Sequence, residues 1–401
     1  MNAWQHHHLA DLCSTITVGH VGSMASEYTG QGIPFLRSKN VRPGRLNFSD
    51  LAFIGDSFHQ RLKKSQLRAN DIVIVRTGTP GAAALIPEEL GPANCSDIII
   101  ARPSESVNPR FLCYAINATA GSFVAAHTVG AVQQHFNIGS AQKLQILIPS
   151  RAEQHSISGV LGALDDKIAV NERIANTAYE LAEALYIRDS AVEQGWPEIA
   201  LSDTAKWMSG GTPTTSEPSY WDGDIPWISA ASLKSPWLDD SERKVTRLGA
   251  KNGTRLVPTG TIIFVVRGMS LTSEFRVGLT QREVAFGQDC KALIPHPGID
   301  PVVLLLALRS RTKEILGLVD TAGHGTGRLG TDRIEKLRVR LPEGGAATAF
   351  AETVRPLAQR AGAVRRENRT LSDLRDTLLP QLVTGKIRIK DAERVVEDAT
   401  S

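Results

Sequence analysis

Three short polar runs in the first part of the chain gather side chains that hydrogen-bond to base edges and grip phosphates. They are Arg37-Ser38-Lys39-Asn40, Arg76-Thr77-Gly78-Thr79 and Gln133-Gln134-His135. Ser229, Ser232, Arg267, Ser270, His324, Thr326 and Arg328 form a second set further on. Arginine forks onto the acceptors of guanine, asparagine or glutamine pairs with adenine in the major groove, and hydroxyls take phosphate oxygens. Any one of these residues alone reads as an ordinary surface group. As sets placed in turns they favour nucleic-acid contact. Arg76 and Arg267 each close an apolar strand, so a structural anchor is the open alternative for both.

Other chemistries find less support. Gly325-Thr326-Gly327-Arg328-Leu329-Gly330 matches the spacing GxGxxG, but a dinucleotide turn needs a strand before it and a helix after it. Here a weak apolar stretch precedes, and the strand-like LRVRL follows. No GxxxxGK[ST] occurs, which removes the nucleotide-triphosphate loop. His6-His7-His8 lacks the helical HExxH setting of a metal site and reads as an exposed polar start. No nucleophile elbow accompanies a Ser/His/Asp set. The expectation is therefore no catalytic residue and no metal ligand in this chain.

The elements that must position the polar runs occur twice. Ile33-Pro34-Phe35-Leu36 returns 192 residues on as Ile225-Pro226-Trp227-Ile228. Asp71-Ile72-Val73-Ile74-Val75-Arg76, a β-branched buried-strand pattern, is echoed by Ile262-Ile263-Phe264-Val265-Val266-Arg267. Asp97 and Pro103 return as Asp289 and Pro295, and Asn108-Pro109 as Asp300-Pro301, each followed by an apolar helical stretch. Ordered landmarks at a nearly constant offset identify a tandem duplication of a β-rich block. The framework pattern is kept between the copies while the loop side chains differ, as in a binding scaffold with two specificities.

Each block runs into a long amphipathic stretch. In the first, Ile157, Leu161, Leu164, Ile168, Ile174, Leu181 and Leu185 recur at three- and four-residue steps, the period of a helix with one buried stripe. Pro149-Ser150 followed by Glu153 is a capping start. About 38 residues of helix make a rod of roughly 55 Å, long enough to require a coiled-coil partner. Near the C-terminus Phe350, Val354, Leu357, Val364, Leu371, Leu374, Leu378 and Leu382 repeat the pattern and supply one. Asn171 and Asn368 fall on or beside the two stripes; each either fixes register in the seam or faces water.

The expected class is α+β: two β-rich blocks in tandem, separated by two long helices that pair as a coiled coil. The expected boundaries are 1–149 for the first domain, 150–195 for the first spacer helix and 196–342 for the second domain. Residues 343–390 form the second spacer helix and C-terminal segment, and 391–401 a disordered tail. The composition, 42% hydrophobic and 22% charged, is that of a folded chain. Net charge is +3, with +3 on residues 1–150, −4 on 151–195, +3 on 196–342 and +1 on 343–401. A polyanion belongs on the blocks rather than on the acidic first rod. Four scattered cysteines without a CxxC pair suggest reduced cytoplasmic thiols. No run reads as a signal peptide or a membrane span.

These residues together resemble the DNA-specificity subunit of type I restriction–modification systems. The resemblance covers nearly the whole chain. It rests on IPFLRSKNV, DIVIVRTGTPGAAALIP and LDDKIAVNERIANTAYELAEALY in the first half. In the second half it rests on GGTPTTSEPSYWDGDIPWISAASL, GQDCKALIP, GHGTGRLGTDRIEKLRVRLP and LRDTLLPQLVTGKIRI. The opening VGHVGSMASEYTGQGIPFL matches the GGTP form of the second block only loosely.

The resemblance implies a non-catalytic subunit whose two β-rich target-recognition domains, separated by two long helices forming an antiparallel coiled coil, each read half of a bipartite, asymmetric site in double-stranded DNA. It implies two adenine-methylating subunits docked on the assembly, and restriction/translocase subunits beside them. S-adenosylmethionine, ATP and magnesium would then belong to those partners and no cofactor to this chain. The absence of a [DNS]PP[YFW] tetrapeptide and of an ATP loop agrees with that division. The rival readings are a nucleotide-binding enzyme using the 323–330 glycine loop, a coiled-coil scaffold that binds only proteins, and a regulator with two unlike DNA modules.

Overall fold

A computed structural model describes residues 4–127, 136–191, 195–322 and 325–400. Two compact units divide the chain: residues 1–170 with 368–401, and residues 171–367. Each unit joins one β-rich block to one half of a pair of long helices, Arg151–Asp189 and Gly344–Val383. Among the described residues no helix is long and apolar enough to cross a membrane.

In the first unit a four-stranded antiparallel sheet runs Ala83–Leu85, Ile72–Val75, Ile98–Pro103, Cys13–Val18 in spatial order. Ile72 to Val75 is buried on both faces, which explains its unbroken β-branched run. A five-stranded sheet lies alongside in sequence: Tyr28–Thr29, Ala52–Ile54, Ile33–Leu36, Ala93–Cys95, Gln66–Leu67. Its central pair is parallel, with Phe35 opposite Asn94. The turn after Val75 places Gly81 at φ +88°, where a Cβ would meet that of Ala120 at 2.7 Å. Only glycine satisfies both demands there.

The second unit repeats the plan. Its sheets order Ala205–Ser209, Cys290–Pro295, Ile262–Val265, Val277–Thr280, Trp237–Leu238 and, separately, Lys244–Val245, Trp221–Ile228, Val284–Phe286, Leu256–Val257. The parallel pair returns, with Trp227 opposite Ala285. Asp300 caps the helix Pro301–Ser310 by accepting from the N–H groups of Val302 and Val303. A small antiparallel pair leads into each long helix: Gln5–His8 with Gln145–Ile148, and Glu198–Ala200 with Arg338–Arg340.

The first long helix starts on the predicted capping box. Ser150 N donates to Glu153 Oε2 at 3.1 Å, and Glu153 N donates to Ser150 Oγ at 3.4 Å. The pair is antiparallel, since partners on one helix fall as those on the other rise. Asp165 meets Arg375 and Ile168 meets Asn368 in the first unit; Asn171 meets Glu367 and Asn176 meets Arg365 in the second. Ile157, Leu161, Leu164, Ile168, Leu371, Leu378 and Leu382 are buried with the first block's core. Val354 and Val364 are buried with the second block's core, and Ile174, Leu185 and Leu357 are half-buried against it.

Two expectations are corrected. Leu181 is 47% exposed and stands outside the seam. Ala175, Ala178, Tyr179, Ala182 and Tyr186 take the buried stripe there, because small side chains bring the block close and the tyrosine rings fill what remains. The tail from 391 is not disordered: Ile389–Thr400 is a helix. Ile389, Ala392 and Val396 lie three and four residues apart, and they pack on the first unit's core.

Candidate nucleic-acid interface

The Arg37–Asn40 run forms a short 3-10 turn after the strand Ile33–Leu36. Asn40 is 1% exposed, so it is no base reader. Its Oδ1 accepts from Arg37 N at 3.0 Å, and its Nδ2 donates to the carbonyls of Asn47 and Asp50. The amide braces the turn from within. Arg37 donates to the Asp50 carbonyl at 2.8 Å and Lys39 pairs with the Asp50 carboxylate. These contacts hold the Asp50 carboxyl below its ordinary pKa, the Lys39 hydrogen bond foremost. Ser38 stands half-exposed on the same turn.

Arg76 leaves its strand and pairs with Asp97, a non-glycine residue at φ +51°. Its carbonyl accepts from Phe136 N at 3.0 Å. Thr77, Gly78 and Thr79 are exposed in the turn that follows. Gln133, Gln134, His135 and, in the second unit, His324 lie outside the described residues.

Ser229 and Ser232 brace each other. Ser229 N donates to Ser232 Oγ at 2.8 Å and Ser232 N donates to Ser229 Oγ at 3.1 Å. Both hydroxyls are thereby turned to their own backbone rather than outward. Ser270 is half-buried in the 3-10 turn Met269–Thr272, and its carbonyl caps Ser273 and Glu274.

The second unit brings Arg267, Thr326 and Arg328 together on one small sheet. Its strands run Arg267–Gly268, Thr326–Leu329, Val319–Ala322 in antiparallel order. Along Thr326–Leu329 the side chains alternate. Gly327 and Leu329 face inward, where a Cβ on Gly327 would meet Leu271 at 2.8 Å, and Thr326 and Arg328 face outward. Arg267 sits directly opposite Arg328, and both are exposed. Arg328's other cross-strand neighbour, Asp320, is held by Arg333 at 2.8 Å. Among the described residues neither Arg267 nor Arg328 has an ion-pair partner. Asp289, the counterpart of Asp97, uses its carbonyl to accept from Val266 N and Arg267 N.

The same sheet disposes of the glycine loop as a dinucleotide turn. Thr326–Leu329 is a strand inside a three-stranded sheet, where a phosphate cradle needs a strand-to-helix turn. His6, His7 and His8 lie in the strand Gln5–His8, and His8 Nδ1 is 3.2 Å from the Lys143 carbonyl. No group of metal-ligating side chains gathers among the described residues.

Each block is fastened to the helix pair by polar contacts that the sequence reading missed. Tyr114 donates to Asp165 Oδ2 at 2.5 Å, while Arg375 donates to Asp165 Oδ1 at 2.9 Å. Burial, then the Asp165 carboxylate, pushes the Tyr114 phenol pKa up, which keeps it a donor. In the second unit Arg309 pairs with Glu183 at 2.5 Å and lies 4.4 Å from the Tyr179 ring centroid.

A family model described as "Type I restriction modification DNA specificity domain" matches residues 1–178 and 193–357. The Escherichia coli type I restriction enzyme EcoR124I/EcoR124II specificity subunit is 26% identical over 211 residues, 51% of this chain and 52% of that protein. The Haemophilus influenzae type I restriction enzyme HindI specificity subunit is 25% identical over 201 residues, 49% of this chain and 42% of that protein. The chain thus spans about half the length of the curated relatives it matches. The crystal structure of a type I restriction-modification S subunit from M. genitalium shares the fold. It has a TM-score of 0.61 at 17% identity over 95% of this chain and 96% of that one.

Proposed function

We propose that this chain, which belongs to the type I restriction modification DNA specificity family, reads a bipartite, asymmetric site in double-stranded DNA. Each β-rich block takes one half of the site, and the paired helices hold the halves at a set spacing. The chain does no chemistry itself. It positions two adenine-N6 methyltransferase subunits, and restriction/translocase subunits beside them, in the cytoplasm. S-adenosylmethionine, ATP and magnesium act on those partners.

One observation carries this reading: the same scaffold is built twice, and the arginines at matching strand ends are engaged differently. Arg76 is bound to Asp97 in one copy, and Arg267 stands open beside Arg328 in the other. Two like scaffolds whose matching arginines are differently engaged suit two unlike half-sites. A flipped adenine is then the partners' concern. The acidic first rod fits a protein-facing role, since it repels the DNA that the blocks attract.

The test is genome-wide mapping of N6-methyladenine in the host, with and without the gene. A split motif that disappears with the gene is expected. An unchanged methylation map overturns the proposal. Tight binding of nucleotides to the purified chain would instead support the enzyme reading, and no sequence preference among duplexes in the presence of the methyltransferase partner the scaffold reading.

A further inference from the structure

We propose that Arg267 and Arg328 form a clamp for a single backbone phosphate of duplex DNA, so the second unit owns a sequence-independent anchor at this point. The inference rests on the DNA-reading function above and assigns the kind of contact these two residues make. Like charges directly opposite one another on a sheet are destabilising unless an anion lies between them. Opposite residues of an antiparallel pair are about 4.5–5.5 Å apart at Cα, so both forked guanidinium groups reach one tetrahedral phosphate.

Among the described residues that charge is left unanswered. The nearest carboxylate in register, Asp320, is committed to Arg333. The opposite face of the sheet is fixed by buried Leu329, and by Gly327 against Leu271, which sets the outward direction of Arg328. Met269, 74% exposed at the end of the Arg267–Gly268 strand, adds an apolar contact beside the pair. The first unit shows the alternative state of the same position: Arg76, the counterpart of Arg267, is bound to Asp97 and closes its turn. Its work is structural, and it adds no phosphate contact.

The test uses the full chain and a fluorescent random-sequence duplex of about 30 base pairs, long enough to span two recognition blocks, with affinity measured from 50 to 200 mM salt. Each neutralised phosphate contributes about 0.9 to the slope of log affinity against log salt. Arg267→Gln and Arg328→Gln are each expected to lower the slope by less than about 0.9, because the remaining arginine still meets the phosphate, and the double variant by about 0.9 in total, because one phosphate is shared. Arg267→Lys and Arg328→Lys keep the slope, since a positive charge still meets the phosphate. Both arginines are exposed, and a melting curve equal to that of the parent confirms that each variant is folded. A slope unchanged in the double variant overturns the clamp, as does a double variant that loses about 1.8, the value for two separate phosphates. A parent chain that binds no duplex at any salt, alone or with its methyltransferase partner, refutes the DNA-reading function itself.

Discussion

Asn171 Nδ2 donates to Glu367 Oε2 at 2.9 Å, from one long helix to the other, and Asn171 is wholly buried. In the other unit Asn368 Nδ2 donates to the Ile168 carbonyl at 3.0 Å and is half-buried. The two asparagines therefore belong to the seam rather than to water. A polar seam residue is costly to leave without its partner and restricts the registers the helices can adopt. Asn171→Ala should lower stability by about 1–3 kcal/mol. Asn368→Ala, removing a less buried group, should lower it by less. Urea unfolding of the two variants side by side gives the order; equal, negligible losses would remove the asparagines from the seam's energetics.

Asp165 and Asp166 are sequence neighbours with different work. Asp165 receives Tyr114 and Arg375 together, whereas Asp166 pairs with Arg110 from a largely exposed position. Asp165→Ala strands a buried phenol hydroxyl and should cost about 1–3 kcal/mol. Asp166→Ala removes a surface pair worth about 0–1 kcal/mol. Chemical denaturation of the two alanine variants measures the contrast.

Leucines on the first long helix should separate in the same way. Leu161 is fully buried, and Leu161→Ala should cost about 2–5 kcal/mol through lost contacts and the cavity left behind. Leu181→Ala changes an exposed side chain and should fall within about 0.5 kcal/mol of the parent. A large loss at Leu181 in thermal melting would show that it is covered in solution.

Burial pushes the thiol pKa of Cys13, Cys113 and Cys290 up to about 12, and moves Cys95 the same way. An unfolded thiol ionises near 8.5, so the folded chain holds these protons more tightly. The stabilisation is complete below about pH 8.5 and fades as pH rises through the interval toward 12. Folded protein at pH 8.5 should resist iodoacetamide, urea-unfolded protein should react at all four cysteines, and the melting temperature should fall as the buffer becomes more alkaline. Rapid labelling of the folded chain would contradict this order.

How far these features could be read in advance depended on how local their signals are. The duplication was legible because framework strands keep their apolar patterns. Ile33–Leu36 and Ile225–Ile228 return as the strands whose Phe35 and Trp227 join parallel partners. The Ser150/Glu153 box was legible because both partners lie within one turn. Asn40, Ser229 and Ser232 were not, because residue type does not say whether a polar side chain bonds its own backbone or points outward. The Ala175–Tyr186 stripe was hidden behind Leu181 because hydropathy ranks leucine above alanine and tyrosine, although close packing favours small and flat groups. The Arg267–Arg328 juxtaposition depends on a register between strands some sixty residues apart in sequence, which no short pattern records.

The helix pair carries the remaining prediction. The first long helix continues unbroken from Arg151 to Asp189, and the second from Gly344 to Val383, across the point where each passes from one compact unit to the other. A continuous helix transmits length stiffly, at 1.5 Å per residue. Inserting about four residues, one helical turn, after Val170 in the first helix and after Glu367 in the second lengthens both members together by about 6 Å. The contact groups of the two blocks are untouched by this change. If the chain reads a bipartite site as proposed, the untouched spacer should grow by about two base pairs, at 3.4 Å per pair, while both half-sites stay the same. Methylated-adenine mapping of a strain carrying the doubly extended chain reads both quantities at once. If the half-sites change and the spacer does not, the helices do not set the spacing.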